Sequence, residues 1–459
     1  MFKLAPLTVA IVLGLSGQAM ANDSQSNQNQ YGNENIAEVK QAMASYSSAT
    51  QNQYGVGNNS AALQDNATGD IQQNHTGQYN AGYAEQLMET AGQIKQQAVG
   101  SYNNTHASQS LGNGNLAQQS QEGSNNFSFV YQDGQNGSTA ITQQWGNGNE
   151  ANVEQLFGGT ANQALIMQTG TGNFSAAEHL SHQNGQIGIF QTGDSNWAYG
   201  DQRDGQGGSI TINQNGALNS TEVWQDQQTA SQAVLNQYGQ TNEAVIDQSF
   251  GANNLATLTQ TGGFNAIYAD QFESQHSVTT LFQNGHGNVH YTYQTGDNHT
   301  LKASANGTGN KVLASSWKGD KAGGQFGSGQ RADIKQTGTD NSANFTQADS
   351  NNELYFEQNG SDNMLIADQR GTANYAEGVS TGVANSVKLD QSGMGNQSYV
   401  NQLYGDHNQV DIKQTDGVNL AYVTQGGSAN QATVDQSGFN MNAAIQQFGT
   451  GNQAAVFQQ

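Results

Sequence analysis

A repeat runs through this chain, and its clearest copy is Gln237-Tyr238-Gly239-Gln240-Thr241-Asn242-Glu243-Ala244-Val245-Ile246-Asp247-Gln248. The copy follows the pattern Q-x-G-x-x-N-x-A-x-φ-x-Q, in which φ is an apolar residue and the closing glutamine opens the next copy. The pattern returns between Gln30 and Gln458, and 34 copies can be placed. Glutamine closes 30 of the 34 copies, and the other four end in His179, Ala305, Ser316 and Ser380. A period of this kind must be interpreted before any local feature of the chain.

The spacing inside one copy predicts a β-strand followed by a turn. The Asn, Ala, φ and closing Gln positions are two residues apart, so their side chains share one face of a strand. The φ position is apolar in 30 of the 34 copies, whereas the position just before the closing glutamine is charged in 13. One face is therefore buried and the other is in water. Glycine and asparagine in nearly every copy argue against a helix, and the x-G-x-x segment has the composition of a turn.

These strands predict an all-β fold, a β-solenoid in which equivalent residues stack from coil to coil. Two copies, about 22–23 residues, form each strand-turn-strand coil, and about 18–19 coils form two facing parallel sheets. Inward glutamine and asparagine side chains then form hydrogen-bonded ladders along the stack, as in cross-β assemblies. The residues expected to form this self-assembly ladder come from five copies: Gln144, Gly146, Asn149, Ala151, Gln155, Gln237, Gly239, Asn242, Ala244, Gln248, Gln336, Gly338, Asn341, Ala343, Gln347, Gln425, Gly427, Asn430, Ala432, Gln436, Gln447, Gly449, Asn452, Ala454 and Gln458.

The composition excludes several classes of protein. Glutamine and asparagine make up 117 of the 459 residues, and only 34% of the chain is hydrophobic. An ordinary globular enzyme is more apolar. The chain has no cysteine and a net charge of −23, which argues against thiolate metal sites and nucleic-acid binding. No catalytic motif is present, and the histidine pairs lack carboxylates at ligand spacing. We therefore expect no enzymatic activity, no cofactor and no metal.

The chain divides into three segments. Residues 1–21 resemble a secretory signal peptide, with Lys3 before an apolar run and a small-x-small cleavage site at Ala19-Met20-Ala21. Residues 22–29 are a polar leader, and residues 30–459 form the repeat solenoid. The register is weak over residues 42–109, where residues 85–97 fit either a short helix or degenerate strands. An irregular loop is expected at about residues 316–325, within a basic stretch (302–335) that either binds polyanions or forms a bulged loop.

The chain closes on a complete copy that ends in Gln458, and the mature segment contains no proline to block a strand edge. We expect the last coil to template the first coil of a second copy and to build a cross-β fibre. Two other functions remain open. A monomeric solenoid could act as a surface adhesin or an ice-binding protein, and a solenoid hydrolase would need an acid cluster that the sequence lacks.

The iterated unit Q-x-G-x-x-N-x-A-x-x-x-Q resembles the curlin repeat of curli subunits, over about residues 30–459. The resemblance implies an extracellular functional amyloid of Gram-negative bacteria that takes part in adhesion and in the biofilm matrix. It also implies a homopolymer seeded by a nucleator subunit and exported through an outer-membrane secretion pore, with no membrane span in the chain. This chain carries several times more copies than typical curlins, and its leader is not rich in glycine.

Overall fold

The computed structural model describes residues 23–315 and 323–459. The predicted signal peptide, and residues 316–322 of the predicted irregular loop, lie outside the described residues. Strands make up 77% of the structure, and no helix occurs in the described ranges. Accordingly, none of the described residues forms a helix long and apolar enough to cross a membrane.

The described residues form 39 strands, numbered in chain order. They are β1 (Gln25–Asn33), β2 (Ile36–Ala42), β3 (Ser48–Val56), β4 (Asn59–Asp65), β5 (Gly69–Gln78), β6 (Ala81–Leu87), β7 (Gly92–Ser101), β8 (Asn104–Ser110), β9 (Leu116–Ser124), β10 (Phe127–Asp133), β11 (Thr139–Asn147), β12 (Glu150–Leu156), β13 (Gln163–Thr171), β14 (Phe174–Leu180), β15 (Gln186–Asp194), β16 (Trp197–Arg203), β17 (Ser209–Ala217), β18 (Ser220–Asp226), β19 (Gln232–Gln240), β20 (Glu243–Ser249), β21 (Leu255–Gly263), β22 (Ala266–Gln275), β23 (Val278–His286), β24 (Val289–Asp297), β25 (Thr300–Thr308), β26 (Lys311–Ala314), β27 (Gly324–Ser328), β28 (Arg331–Thr339), β29 (Ser342–Ser350), β30 (Glu353–Ser361), β31 (Met364–Thr372), β32 (Tyr375–Val383), β33 (Ser386–Met394), β34 (Gln397–Tyr404), β35 (Gln409–Gly417), β36 (Leu420–Ser428), β37 (Gln431–Phe439), β38 (Asn442–Thr450) and β39 (Gln453–Gln458).

The strands stack into two parallel sheets that face each other. The first sheet has 19 strands and begins with β1, β3 and β5, and the second sheet takes the strands between them, beginning with β2, β4 and β6. One strand of each sheet and two turns make a coil. The pairing is in register, so that Gln214 lies beside Gln237 and Gln237 beside Gln260. The predicted all-β solenoid is confirmed, with about 19 turns.

Alternation along each strand creates the core between the sheets. In β19, Ala233, Leu235 and Gln237 are buried, and the residues between them are partly exposed. The glycine of each copy is required where stacked turns approach closely. Gly239 has a φ of +116°, and a Cβ there would overlap the carbonyl oxygen of Gly262 in the next coil. Glycine alone fits this position without strain.

The N-terminal part of the stack is as regular as the rest. β1 begins at Gln25, so the stacked region starts within the segment predicted as a polar leader. Residues 85–97 lie partly in β6 and β7, which favours the strand interpretation over a helix. The repeat is hard to find there because Gln51, Gln73 and Gln96 fill the position that is apolar elsewhere.

The irregular segment leaves the stack intact. β24 pairs with both β26 and β27, which flank residues 316–322. Gln294 Nε2 still donates to Gln325 Oε1 at 2.7 Å across an interval of 31 residues. The described basic residues of this stretch are exposed, and they are Lys302, Lys311, Arg331 and Lys335.

Candidate functional site: amide columns and end coils

The closing glutamines of the second sheet form one column along the stack. Each Nε2 donates to the Oε1 of the glutamine in the next coil, at 2.7 Å from Gln248 to Gln271 and at 2.9 Å from Gln391 to Gln414. The side chains point into the core and are fully buried except in the end coils. This second-sheet glutamine column consists of Gln41, Gln64, Gln86, Gln109, Gln132, Gln155, Gln202, Gln225, Gln248, Gln271, Gln294, Gln325, Gln347, Gln369, Gln391, Gln414, Gln436 and Gln458, with His179 between Gln155 and Gln202.

A second bond from the same amide nitrogen joins the two sheets. Gln248 Nε2 also donates to the backbone carbonyl of Gln232, in the first-sheet strand of the same coil, at 3.2 Å. Gln237 Nε2, in the first sheet, donates to the carbonyl of Ser220 at 3.1 Å. Gln248 and Gln237 therefore use both donor hydrogens, because each also donates to the glutamine of the next coil, which avoids the cost of burying an unpaired amide.

The closing glutamines of the first sheet form a shorter set of columns. Its longest unbroken run donates from coil to coil at 2.8–3.0 Å: Gln121, Gln144, Gln168, Gln191, Gln214, Gln237, Gln260 and Gln283. Shorter runs are Gln30 to Gln53, Gln336 to Gln358, and Gln402 through Gln425 to Gln447. The interruptions are His75, Ala98, Ala305 and Ser380.

The asparagine of one turn in each coil forms a third column. Asn242 Nδ2 donates to Asn219 Oδ1 in the preceding coil at 3.0 Å and to the carbonyl of Gly262 in the next coil at 3.2 Å. The backbone N–H of Asn265 donates back to Asn242 Oδ1 at 3.2 Å. One asparagine side chain thus links three coils. The donation from one asparagine side chain to another runs toward the N-terminus, opposite to that between glutamines.

The end coils leave these columns open. At the N-terminal end, Gln30 Oε1 and Gln41 Oε1 accept no hydrogen bond from the described residues. At the C-terminal end, Gln447 donates only to the backbone carbonyl of Gln431 in the preceding coil, at 2.9 Å, and Gln458 only to that of Asn442 in its own coil, at 3.1 Å. Asn452 Oδ1 likewise accepts no bond from the described residues. One end therefore offers acceptors where the other offers donors.

Comparison with known families identifies the repeat. The family model described as the curlin associated repeat matches residues 229–262 and residues 382–415. At these two places the chain is similar to the curlin associated repeat. The first match contains Gln237 and Gln248, which lie in the first-sheet and second-sheet glutamine columns. A comparison with curated proteins gave no match. The predicted resemblance to a curlin repeat family is confirmed at these two places, and such repeats belong to a structural family rather than an enzymatic one.

The predicted ladder residues occupy equivalent positions in successive coils of the stack. Gln144, Gln237, Gln336, Gln425 and Gln447 lie in the first-sheet columns, and Gln155, Gln248, Gln347, Gln436 and Gln458 lie in the second-sheet column. The five asparagines lie in the asparagine column: Asn149, Asn242, Asn341, Asn430 and Asn452. The glycines stack at the turn, and the alanines face the core, including Gly146, Gly338, Gly427, Gly449, Ala151, Ala244, Ala343, Ala432 and Ala454. Their role in self-assembly stays a prediction.

A histidine interrupts the second-sheet glutamine column. His179 is fully buried, and neither ring nitrogen has a hydrogen-bond partner among the described residues. Burial lowers its pKa to about 3. Gln202 Oε1, in the next coil, also lacks a partner. This coil therefore carries buried polar atoms without hydrogen bonds, which destabilise the fold.

A further glutamine column was missed by the sequence reasoning. In the first five coils the φ position of the first sheet holds Gln28, Gln51, Gln73, Gln96 and Gln119, which we call the N-terminal glutamine column. Its bonds from coil to coil measure 2.7–3.0 Å. The signal that could have found it is a glutamine two residues before the closing position, repeated at the period of a full coil.

Carboxylates also stack on the outer face of the second sheet. Asp247 lies beside Asp270 in the next coil, and Asp270 is nearly buried. Burial, followed by the charge of Asp247, raises the pKa of Asp270 to about 7. Burial also raises the pKa of Asp201 to about 6, despite its ion pair with Arg203 at 3.1 Å. Within the described residues, no group of three or more His, Asp or Glu side chains could hold a metal ion.

Proposed function

We propose that this chain is a self-assembling structural subunit of extracellular, curli-like amyloid fibres that serve cell adhesion and the biofilm matrix. The curlin associated repeats and the β-solenoid fit a structural curli-like subunit. The observation that carries the proposal is the complementarity of the two end coils.

Continuing the register of the stack would join a second copy to the last coil. Gln447 Nε2 would then donate to Gln30 Oε1 of the added copy, and Gln458 Nε2 to Gln41 Oε1. The backbone N–H of the added Asn35 would donate to Asn452 Oδ1, as every following asparagine does within the chain. All three columns would pass through the junction.

The opposite directions of the columns favour one orientation of contact. Two N-terminal ends would set glutamine oxygens against each other, and two C-terminal ends would set glutamine amide donors against each other. Only contact between unlike ends pairs donors with acceptors, so we infer a fibre with a direction.

Aromatic packing at the outer edge supports the same junction. Tyr31 stacks on Tyr54 with ring centroids 4.9 Å apart, and its other face is open in the first coil. Phe448 occupies the same position in the last coil and is 57% exposed. In the proposed junction Phe448 would cover Tyr31, which adds apolar burial to the hydrogen bonds.

Export, partners and location belong to the proposal through the resemblance to curlins. The chain would be secreted from a Gram-negative bacterium through an outer-membrane pore, seeded by a nucleator subunit, and assembled on the cell surface. The family is associated with extracellular curli fibres, which supports secretion.

Proline at the open edge tests the proposal. Gln431 lies beside Gln453, and its N–H donates forward to Asn452 O at 2.8 Å. Because alternate residues of a parallel strand face the same neighbour, the amide groups of Gln453 and Ala455 face away from β37. Ala455→Pro therefore removes one donor from the open edge and no bond to β37. Ala455→Val is the matched control, since it retains the N–H.

The assay is growth of seeded fibres by the purified chain from residue 22, followed by an amyloid dye, sedimentation and fibre diffraction. We expect the parent chain and Ala455→Val to form fibres with the strand and sheet spacings of cross-β structure. Ala455→Pro should lengthen several-fold more slowly. A parent chain that keeps its strand circular dichroism and stays monomeric at high concentration would contradict the proposal and favour a surface-binding solenoid, either an adhesin or an ice-binding protein.

A further inference from the structure

The two ends of the solenoid differ at the inward φ position of the first sheet. In the N-terminal glutamine column, Gln28 Nε2 donates to Gln51 Oε1 at 3.0 Å, and Gln51 donates to Gln73 at 2.8 Å. From β13 onward the same position is mainly aliphatic, and in the last first-sheet strand it is Ile445. The first coil thus presents Q-x-Q on its inward face, and the last coil presents I-x-Q.

At its C-terminal side, the N-terminal glutamine column ends in hydrogen bonds to hydroxyl groups. Gln119 Nε2 donates to Ser128 Oγ at 2.8 Å, and Ser128 shares a hydrogen bond of 2.6 Å with Thr142. The Ser128 and Thr142 hydroxyls thus lie between the glutamines and the aliphatic residues that fill this position from Ile166 onward. The change from glutamine to aliphatic residues therefore leaves no donor of Gln119 unused inside the chain.

The other end of this column has no such ending. Gln28 Oε1 accepts no hydrogen bond from the described residues. In a head-to-tail junction, the register that sets Gln447 beside Gln30 also sets Ile445 beside Gln28. A second copy of this chain would pair two of the three glutamine acceptors and would bury Gln28 Oε1 against a side chain that cannot donate. A buried acceptor without a partner is costly.

We propose that the N-terminal end of the solenoid is a selective docking edge for a coil of another polypeptide that carries glutamine at both inward positions of its first strand. The proposal rests on the proposed function, because it concerns the edge that assembly would use. Such a coil donates to Gln28, Gln30 and Gln41 together, whereas the chain's own last coil satisfies two of them. The edge therefore binds a Q-x-Q coil in preference to a second copy.

Two peptides of equal length from this chain provide the probes. Peptide 48–65 has the sequence of β3 and β4 and carries glutamine at both inward positions, and peptide 442–459 covers β38 and β39 and carries Ile445. In the complex, the free strand edge of peptide 48–65 faces water, so the Oε1 atoms of the peptide's own glutamines stay hydrated. The receptor is the full chain from residue 22 with Ala455→Pro, which slows its self-assembly, and it is used below the concentration at which it forms fibres.

The measurement is fluorescence anisotropy of each labelled peptide. Peptide 48–65 should bind about 5- to 150-fold more tightly than peptide 442–459, which corresponds to the about 1–3 kcal/mol cost of one buried unpaired acceptor. Gln51→Ile in the peptide should remove most of this advantage. Gln28→Met in the receptor should remove the preference, while Asn27→Ala, at an outward position, should keep it.

Equal affinities for the two peptides, or a preference that survives Gln28→Met, would overturn the docking edge. The fibre is tested separately. Fibres from the parent chain without peptide preference would reject this inference alone, and preference without fibres would reject the proposed function alone.

Discussion

The stability of the stack should depend on how many amide bonds each glutamine makes. Replacing Gln248 with methionine keeps the volume and removes the amide. The substitution deletes the bond to Gln271 at 2.7 Å, the bond to the Gln232 carbonyl at 3.2 Å and the bond accepted from Gln225 at 2.7 Å. At about 1 kcal/mol for each bond, the expected loss is about 3 kcal/mol.

The same column contains a matched control. Gln202 is equally buried, but it makes a single column bond, to Gln225 at 2.7 Å, because His179 interrupts the column before it. Gln202→Met should therefore cost about 1 kcal/mol. The two substitutions have the same chemistry and burial, so their difference of about 2 kcal/mol measures one further column bond, from Gln225, and the bond to the Gln232 carbonyl.

Native-state hydrogen exchange is the suitable assay, because a solenoid opens locally and its unfolding need not be two-state. The protected amides of β14 to β22, which flank both Gln202 and Gln248, are compared between the two variants in the slowly assembling Ala455→Pro background. Equal losses of protection, or a larger loss in Gln202→Met, would refute the account of the ladder as a sum of directional bonds.

Three further predictions follow from single positions. Gly239→Ala should lower the free energy of unfolding, measured by urea denaturation, by about 3 kcal/mol or more, because the added Cβ would overlap the Gly262 carbonyl. Gly137 has a φ of +62° and open space around it, so Gly137→Ala should cost about 1 kcal/mol. His179→Gln should raise the free energy of unfolding by about 1–3 kcal/mol, because it completes the second-sheet glutamine column. It should also reduce the loss of stability that protonation of the histidine causes as pH falls from about 6.5 toward about 3. A urea midpoint of the parent chain that does not change between pH 7 and pH 5 would contradict this. The pKa of Asp270 is raised to about 7, so its stabilising contribution is full below about pH 4 and is lost as pH rises through about 7. Asp270→Asn should therefore flatten the pH dependence of the free energy of unfolding and be more stable than the parent at pH 8. Fibre growth of the parent should be faster at pH 5 than at pH 8.

The sequence determines the repeat unit and its local structure. In Gln237–Gln248 the spacing of two between inward residues, with glycine and asparagine at the turn, is sufficient to predict a strand, a buried face and an amide ladder. The coil length and the number of coils follow from the period, and both agree with the structure. These features are local, because each depends on residues within a single copy.

The tertiary structure alone decides how the copies meet. Sequence does not reveal that Asn242 donates backward while Gln248 donates forward, because this depends on the side-chain geometry between coils. It also does not reveal that Gln28 and Gln119 belong to one column, which is buried from Gln51 onward, since their positions interrupt the apolar pattern. The burial of Asp270 on the outer face is likewise a product of its neighbours in adjacent coils. Period and alternation are properties of one strand, whereas the direction and ending of a hydrogen-bond column are properties of the stack.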